Sequence, residues 1–186
     1  MRIISGTFKG KKIIFPKNKK TRPLRDMVKE SIFNLIENSN KLKIHIKDSS
    51  ILDLFSGSGS FGLECISREA EKVTFVENDL DALTILKKNI NKLKGENRCN
   101  VVEGNCFNYL NSKKNNNSKS DFIFLDPPFR EEKINDLVNT ILELRLLTKH
   151  GVIIIHRHKK DNIEISKKLN VIDDRLYGIS RIIIGN

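Results

Sequence analysis

A chain of 186 residues with 38% hydrophobic residues is long enough to bury a full core in one domain. Its formal charge of +11 points toward a polyanionic partner. No apolar run approaches the roughly 18 residues of a membrane span, and the N-terminus lacks an apolar leader region, so a cytoplasmic protein without a membrane partner is expected.

The charge is uneven. Residues 1–30 hold ten Lys/Arg against two acids, Asp26 and Glu30, a net +8; the remaining 24 basic and 21 acidic residues leave +3. A basic block ahead of a nearly neutral domain is the electrostatic footprint of nucleic acid. It lacks the long apolar helical face of a membrane-surface segment. Cys65, Cys99 and Cys106 match no metal spacing and read as buried, reduced thiols; no metal is expected.

In chain order, residues 2–16 read as a hairpin, with Ile3-Ile4 and Ile13-Ile14-Phe15 flanking the turn-rich stretch Gly6 to Gly10. A charged linker, Pro16 to Lys20, leads to a helix opened by Thr21-Arg22-Pro23 and running to about Glu37; proline suits a first turn. This divides the chain into a basic hairpin extension, 1–20, and a main domain, 21–186. From residue 51, strands and helices alternate. Expected strands are Ile51 to Phe55, Val73 to Glu77, Val101-Val102, Phe122 to Leu125 and Val152 to Ile155. Expected helices are Gly59 to Arg68, Asp79 to Leu93, Asn105 to Leu110, Glu131 to Leu147 and Lys159 to Leu169. Asn111 to Ser120 is a polar insert. Val171 to Tyr177 and Ile179 to Ile184 meet at Gly178 as an antiparallel pair. The alternation predicts an α/β fold, a mostly parallel sheet with helices on both faces. Ligands of such sheets bind at the carboxyl ends of the strands.

Two motifs sit at those ends. The first, Asp53-Leu54-Phe55-Ser56-Gly57-Ser58-Gly59, is a strand-to-helix turn whose glycines permit close backbone approach. Glu77, twenty positions after Gly57, can accept hydrogen bonds from both hydroxyls of an adenosine ribose. This much suits NAD and S-adenosylmethionine alike. Asp53 favours the latter, because a carboxylate can face a cationic amino-acid tail and repels a pyrophosphate. Gly104-Asn105, after the third strand, places a side chain to read an adenine edge.

The second motif, Asp126-Pro127-Pro128-Phe129, follows the apolar run Phe122 to Leu125. Exocyclic amines of nucleobases are poor nucleophiles because their lone pair delocalises into the ring. The Asp126 carboxylate and the Pro127 carbonyl can accept both N–H bonds and draw the nitrogen toward tetrahedral geometry. The prolines stiffen the turn and remove competing donors, and Phe129 can stack on the base. At this point adenine and guanine remain open. His156 and His158, flanking Arg157 just after a strand, read as solvated basic residues able to touch phosphate.

These residues resemble the RsmD-type 16S rRNA guanine-N2 methyltransferases, of Rossmann-like class I fold, over nearly the whole chain. The specific part is N-terminal: Arg2-Ile3-Ile4-Ser5-Gly6, Lys9-Gly10-Lys11-Lys12, Thr21-Arg22-Pro23 with Asp26, Val28-Lys29 and Phe33-Asn34. Leu52 to Phe55, Gly57-Ser58-Gly59, Gly62-Leu63-Glu64, Ser67-Arg68 and Asp126 to Phe129 complete it. The resemblance implies a seven-stranded sheet with a terminal antiparallel strand, S-adenosylmethionine as methyl donor, and rRNA of the small ribosomal subunit or its assembly intermediate as partner; nothing in the sequence suggests an obligate dimer, so a monomer is expected. The resemblance also implies cofactor contacts from Arg22, Asp53, Phe55, Gly57, Ser58, Gly59, Glu77, Asn78, Gly104, Asn105, Cys106 and Asp126. RNA contacts would come from Arg2, Lys9, Lys11, Lys12, Arg22 and Arg25, with the segment near Arg22 closing over the site. Three positions depart from the family pattern: Asn105 replaces an acid, Glu69 stands where a glycine usually ends the first helix, and His156-Arg157-His158 replaces an acidic neighbourhood. Alternatives are adenine-N6 methylation of DNA or RNA and an inactive basic RNA-binding factor. Protein glutamine methylation fits less well, because such enzymes carry Asn at the Asp126 position.

Overall fold

The computed structural model describes residues 1–15, 24–113, 118–128, 131, 133–161 and 164–186. The elements run α1 (Asp26–Asn38), β1 (Ser50–Asp53), α2 (Ser60–Ser67), β2 (Lys72–Glu77), α3 (Leu80–Leu93), β3 (Cys99–Glu103), α4 (Cys106–Ser112), β4 (Ser120–Leu125), α5 (Ile134–Glu143), β5 (Leu147–His158), β6 (Val171–Tyr177) and β7 (Ser180–Gly185). Among the described residues, seven strands form one sheet in the order β3-β2-β1-β4-β5-β7-β6. The first five are parallel, and β7 runs antiparallel to β5 and β6. This is the Rossmann-like α/β architecture the sequence predicts.

Strand periodicity explains why both faces are covered. In β4, Phe122 and Phe124 join a core with α1, α2 and α3, while Ile123 and Leu125 join a second core with α4 and α5. On the first face, the Phe61 ring stacks on Phe124 at 3.9 Å and on Phe33 at 5.3 Å between centroids. Strand order reverses between β1 and β4, so a crevice opens at their carboxyl ends. Asp53 closes β1 and Asp126 follows β4 at that place.

The N-terminal segment departs from a plain hairpin. One antiparallel bridge joins Arg2 to Lys12, with Ile3 N–H donating to the Lys11 carbonyl at 2.9 Å. The other edge bonds to helix side chains. Ile4 and Ser5 N–H donate to Glu64, Phe8 N–H to Ser67 Oγ, and Ile14 N–H to Asn89. Those donors therefore cannot build a ladder. Ile3 and Ile13 belong to the first core. Gly6 adopts φ +79, and a Cβ there would lie 1.9 Å from the Ser67 carbonyl oxygen, so the close approach requires glycine.

Several expectations need correction. The helix start at Thr21-Arg22-Pro23 lies outside the described residues, and α1 begins at Asp26. The predicted helix Glu131 to Leu147 is shorter: α5 ends at Glu143, Arg145 turns the chain at φ +52, and Leu147 already pairs with Ser120. No glycine announces that stop. The expected strand Val152 to Ile155 extends through His158 as β5. The expected helix Lys159 to Leu169 is absent among the described residues. There Asn135 of α5 accepts from Ser166 N–H and donates to the Glu164 carbonyl, occupying backbone groups a helix would use. The insert's first residues, Asn111 and Ser112, complete α4, and Ser120 opens β4. Glu69 does take the left-handed conformation, φ +67, at the end of α2. Cys65 and Cys106 are buried and Cys99 half-buried; all three are free thiols.

Candidate active site

The glycine turn is shaped by backbone geometry first. Gly57 and Gly59 adopt φ +53 and +83. At Gly59 a Cβ would meet Leu86 Cδ1 at 2.5 Å, so any larger residue is both strained and crowded. Gly59 N–H donates to the Ser56 carbonyl at 2.7 Å, and Ser56 N–H to the Val76 carbonyl at 3.1 Å, tying the turn to β2. Ser58 is buried, and its carbonyl accepts from Asn89 of α3 at 2.9 Å.

Three carboxylates converge on the carboxyl edge of the sheet, from the ends of β1, β2 and β4. Asp53 is buried, and its Oδ1 has no hydrogen-bond partner. Burial raises its carboxyl well above the usual range, with a further push from the Asp126 and Glu77 charges and opposition from the N–H groups of Gly62 and Phe55. An orphaned buried carboxylate oxygen facing like charges fits a cationic ligand group, as the sequence expected of the ammonium of S-adenosylmethionine.

Glu77 is held by three backbone donors: Gly57 to Oε2 at 2.6 Å, and Asn78 and Asp79 to Oε1 at 2.9 and 2.8 Å. Oε1 is then saturated, and Oε2 keeps one lone pair for a ribose hydroxyl. Taking both hydroxyls requires Glu77 to release one of the Oε1 donors.

Beside Glu77 lies a cavity of about 100 Å³ lined by Leu54, Phe55, Val76, Glu77, Asn78, Gly104, Asn105, Cys106, Phe107, Pro128 and Glu131. Six of the expected cofactor residues, Phe55, Glu77, Asn78, Gly104, Asn105 and Cys106, therefore share one wall. Asn105 also caps α4, its Oδ1 accepting from Phe107 N–H at 2.8 Å. Its second lone pair and its amide nitrogen remain to read a ring edge. Burial pushes the Cys106 thiol up to about 11, so it forms a protonated, soft wall rather than a nucleophile. Phe107 and Glu131 were not expected here; the helical phase of α4 and the proximity of Glu131 to the Pro-Pro turn are the only sequence signals for them.

Asp126 is partly exposed and Pro127 buried. Arg22 and Phe129 lie outside the described residues. The carboxylate of Asp126 accepts from His156 Nδ1, with Oδ1 at 2.8 Å, and His156 Nε2 lies 2.9 Å from Ser180 Oγ. Arg157 is also buried; it pairs with Asp161 and reaches the Pro128 carbonyl at 3.4 Å. His156, expected with His158 to be a solvated basic residue, is thus a buried strand residue that braces the turn together with Arg157, while His158 ends β5 half-buried. The five described basic residues expected to contact RNA, Arg2, Lys9, Lys11, Lys12 and Arg25, are all exposed. Lys11 lies 4.8 Å over the Phe8 ring.

The rRNA small subunit methyltransferase D of Buchnera aphidicola is 34% identical over 165 residues, spanning 89% of this chain and 82% of that protein. YlbH of Bacillus subtilis, a putative rRNA methyltransferase, is 32% identical over 185 residues, spanning 99% and 97%. The solved structure of the putative methyltransferase YhhF from Escherichia coli superposes with a TM-score of 0.82 at 28% identity, over 100% of this chain and 96% of that one. The family model described as conserved hypothetical protein 95 matches residues 1–186. With its Rossmann-like sheet and two strand-end motifs, this chain belongs to that family, the RsmD-type rRNA methyltransferases.

Proposed function

We infer that this enzyme transfers a methyl group from S-adenosylmethionine to the exocyclic N2 amine of a guanine in small-subunit rRNA. The observation that carries this reading is the Asp126 carboxylate on its Pro-Pro turn, set at the strand-order reversal beside the orphaned Asp53 and the Glu77 cavity. When bound, S-adenosylmethionine supplies an electrophilic methyl group on a cationic sulfur. Asp53 meets the ammonium, Glu77 a ribose hydroxyl, and the Phe55, Asn105, Cys106 and Phe107 wall the adenine. Asp126 and the Pro127 carbonyl would accept the two amine N–H bonds and orient the lone pair toward the methyl group; as the N–C bond forms the S–C bond breaks, the thioether leaves, and the proton shed by the nitrogen passes to Asp126. Positioning and electrostatics provide the acceleration. The base reaches the turn unpaired or flipped out.

The deciding experiment incubates undermethylated small-subunit particles with labelled methyl donor and digests the RNA to nucleosides. N2-methylguanosine is the expected product; its absence overturns the reading. Label in N6-methyladenosine identifies the adenine alternative. Absence of S-adenosylmethionine binding by calorimetry identifies a non-catalytic factor.

Free Asp53 keeps its proton above the usual carboxylate range, and a cationic ligand needs it ionised. The bound state therefore holds fewer protons, and affinity should rise as pH rises through the raised pKa. Calorimetry at a series of pH values above the ordinary carboxylate range should show tightening with proton release as pH rises, and Asp53→Asn should flatten the profile. Lys11→Glu with Lys12→Glu should weaken RNA binding and reduce the log–log salt slope by roughly 0.7–0.9 for each phosphate no longer neutralised. Fluorescence anisotropy across a salt series measures this; an unchanged slope would remove these lysines from the interface.

A further inference from the structure

The Asp126 carboxylate has an anchoring problem that its own sequence creates. An aspartate in a turn ordinarily accepts from the backbone N–H two residues on. Here that residue and the one before it are both proline, and proline has no N–H. The same pair that clears donors from the amine's path leaves the carboxylate without its local anchors. The 2.8 Å contact from His156 Nδ1 to Oδ1 supplies a donor from a different strand, thirty residues away.

We propose that His156 is a positioning residue for methyl transfer: it ties down Oδ1 of Asp126 so that Oδ2 alone faces the amine. The proposal rests on Asp126 being the amine acceptor, whichever base carries that amine. An ionised carboxylate only accepts, so Nδ1 carries a proton; in the neutral ring Nε2 then accepts from the Ser180 hydroxyl. The ring is held at both nitrogens by groups on different strands: Asp126 after β4 and Ser180 at the start of β7. His156 and Ser180 are buried, so water competes little for either bond. Arg157, the next residue of β5, reaches the Pro128 carbonyl, so the end of one strand braces both the side chain and the backbone of the turn. Among the described residues, Asp126 is thus held by His156 and by no local N–H donor. A carboxylate free to rotate would satisfy the amine only part of the time and would fall short of the near-attack geometry.

The test separates the two ring nitrogens. His156→Asn places an amide donor near the Nδ1 position and keeps the Asp126 contact. His156→Gln places it near Nε2, keeps the Ser180 contact and gives up Asp126. His156→Asn should hold kcat within about threefold of wild type, whereas His156→Gln should lower kcat by about 10–100-fold, a loss typical of misplacement near 1 Å. Both should leave the S-adenosylmethionine and RNA affinities and the circular dichroism spectrum unchanged. Ser180→Ala frees one side of the ring and should lower kcat by about three- to tenfold with KM unchanged; it decides the matter if His156→Gln fails to fold. The proposal is overturned if Asn and Gln lower kcat equally, if the loss sits in KM, or if Ser180→Ala matches wild type. Rates are read as methyl transfer to any exocyclic amine. A wild-type product of N6-methyladenosine therefore sinks the guanine reading while leaving this comparison intact.

Discussion

Asp126→Ala is expected to reduce kcat for methyl transfer by about 10²–10³-fold, the usual consequence of removing one preorganised group that meets developing charge. RNA affinity should change little, because phosphate contacts from the exposed basic residues, not one carboxylate, are expected to supply most of it. Asp126→Asn should do almost as badly, although an amide oxygen can accept a hydrogen bond. If that oxygen takes the His156 Nδ1 proton, the amide NH₂ faces the incoming amine, donor against donor. Single-turnover kinetics with saturating methyl donor and RNA measure the effect directly. An Asp126→Ala variant within tenfold of wild type would move the chemistry away from this turn.

The second large effect concerns stability. Glu64 and Lys29 are fully buried, with Nζ 3.3 Å from Oε2. Glu64 also accepts from Ile4 and Ser5 N–H at 2.8 and 2.9 Å and from Arg68 Nε at 3.1 Å. Lys29 donates to the Arg2 carbonyl at 2.8 Å. Burial pulls the Lys29 ammonium below its usual pKa even with Glu64 beside it. Glu64→Ala removes the counter-ion of that buried ammonium and leaves two backbone donors unpaired, while Arg68 keeps Glu37. The expected loss is about 3–5 kcal/mol, a fall in Tm of roughly 6–20 °C for a domain of this size. Adding Lys29→Met to the variant should restore part of it, because the unpaired buried charge is then gone. Urea denaturation followed by circular dichroism checks both; a single variant with a wild-type midpoint would refute the network's role. The loss should be accompanied by release of residues 2–8, visible as faster amide exchange at Ile4 and Ser5.

Sequence and structure diverge along lines set by contact range. The strand–Gly57–Gly59–helix turn, Glu77 at the end of β2 and Asp126 before two prolines are local patterns, and each lies where the pattern placed it. Their chemistry follows from backbone freedom, strand phase and missing N–H groups, all of which are properties of neighbouring residues. Glu69 was marked by the resemblance alone: it stands where a glycine usually ends the helix, and it is found at φ +67. The end of α5 at Glu143 had no such mark, because Arg145 makes the turn without a glycine. The misread stretch 159–169 failed for a different reason. Its apolar residues allow a helix, but Asn135 and Asn139 of α5 take the hydrogen-bonding groups around Ser166.

What the sequence by itself determined is the set of strand-end groups and their charge: a glycine turn, three acids at one edge of a parallel sheet and a basic first thirty residues. Those depend on periodicity and residue chemistry within a few positions. Only the tertiary structure decided which groups hold them. His156 reaches Asp126 across 30 positions, and Glu64 reaches Ile4 across 60. Asn89 joins Ile14 of the basic segment to Ser58 of the glycine turn across 75 and 31 positions. Such partnerships are set by how helices and strands pack, and a buried polar group takes whichever donor or acceptor the packing brings within reach.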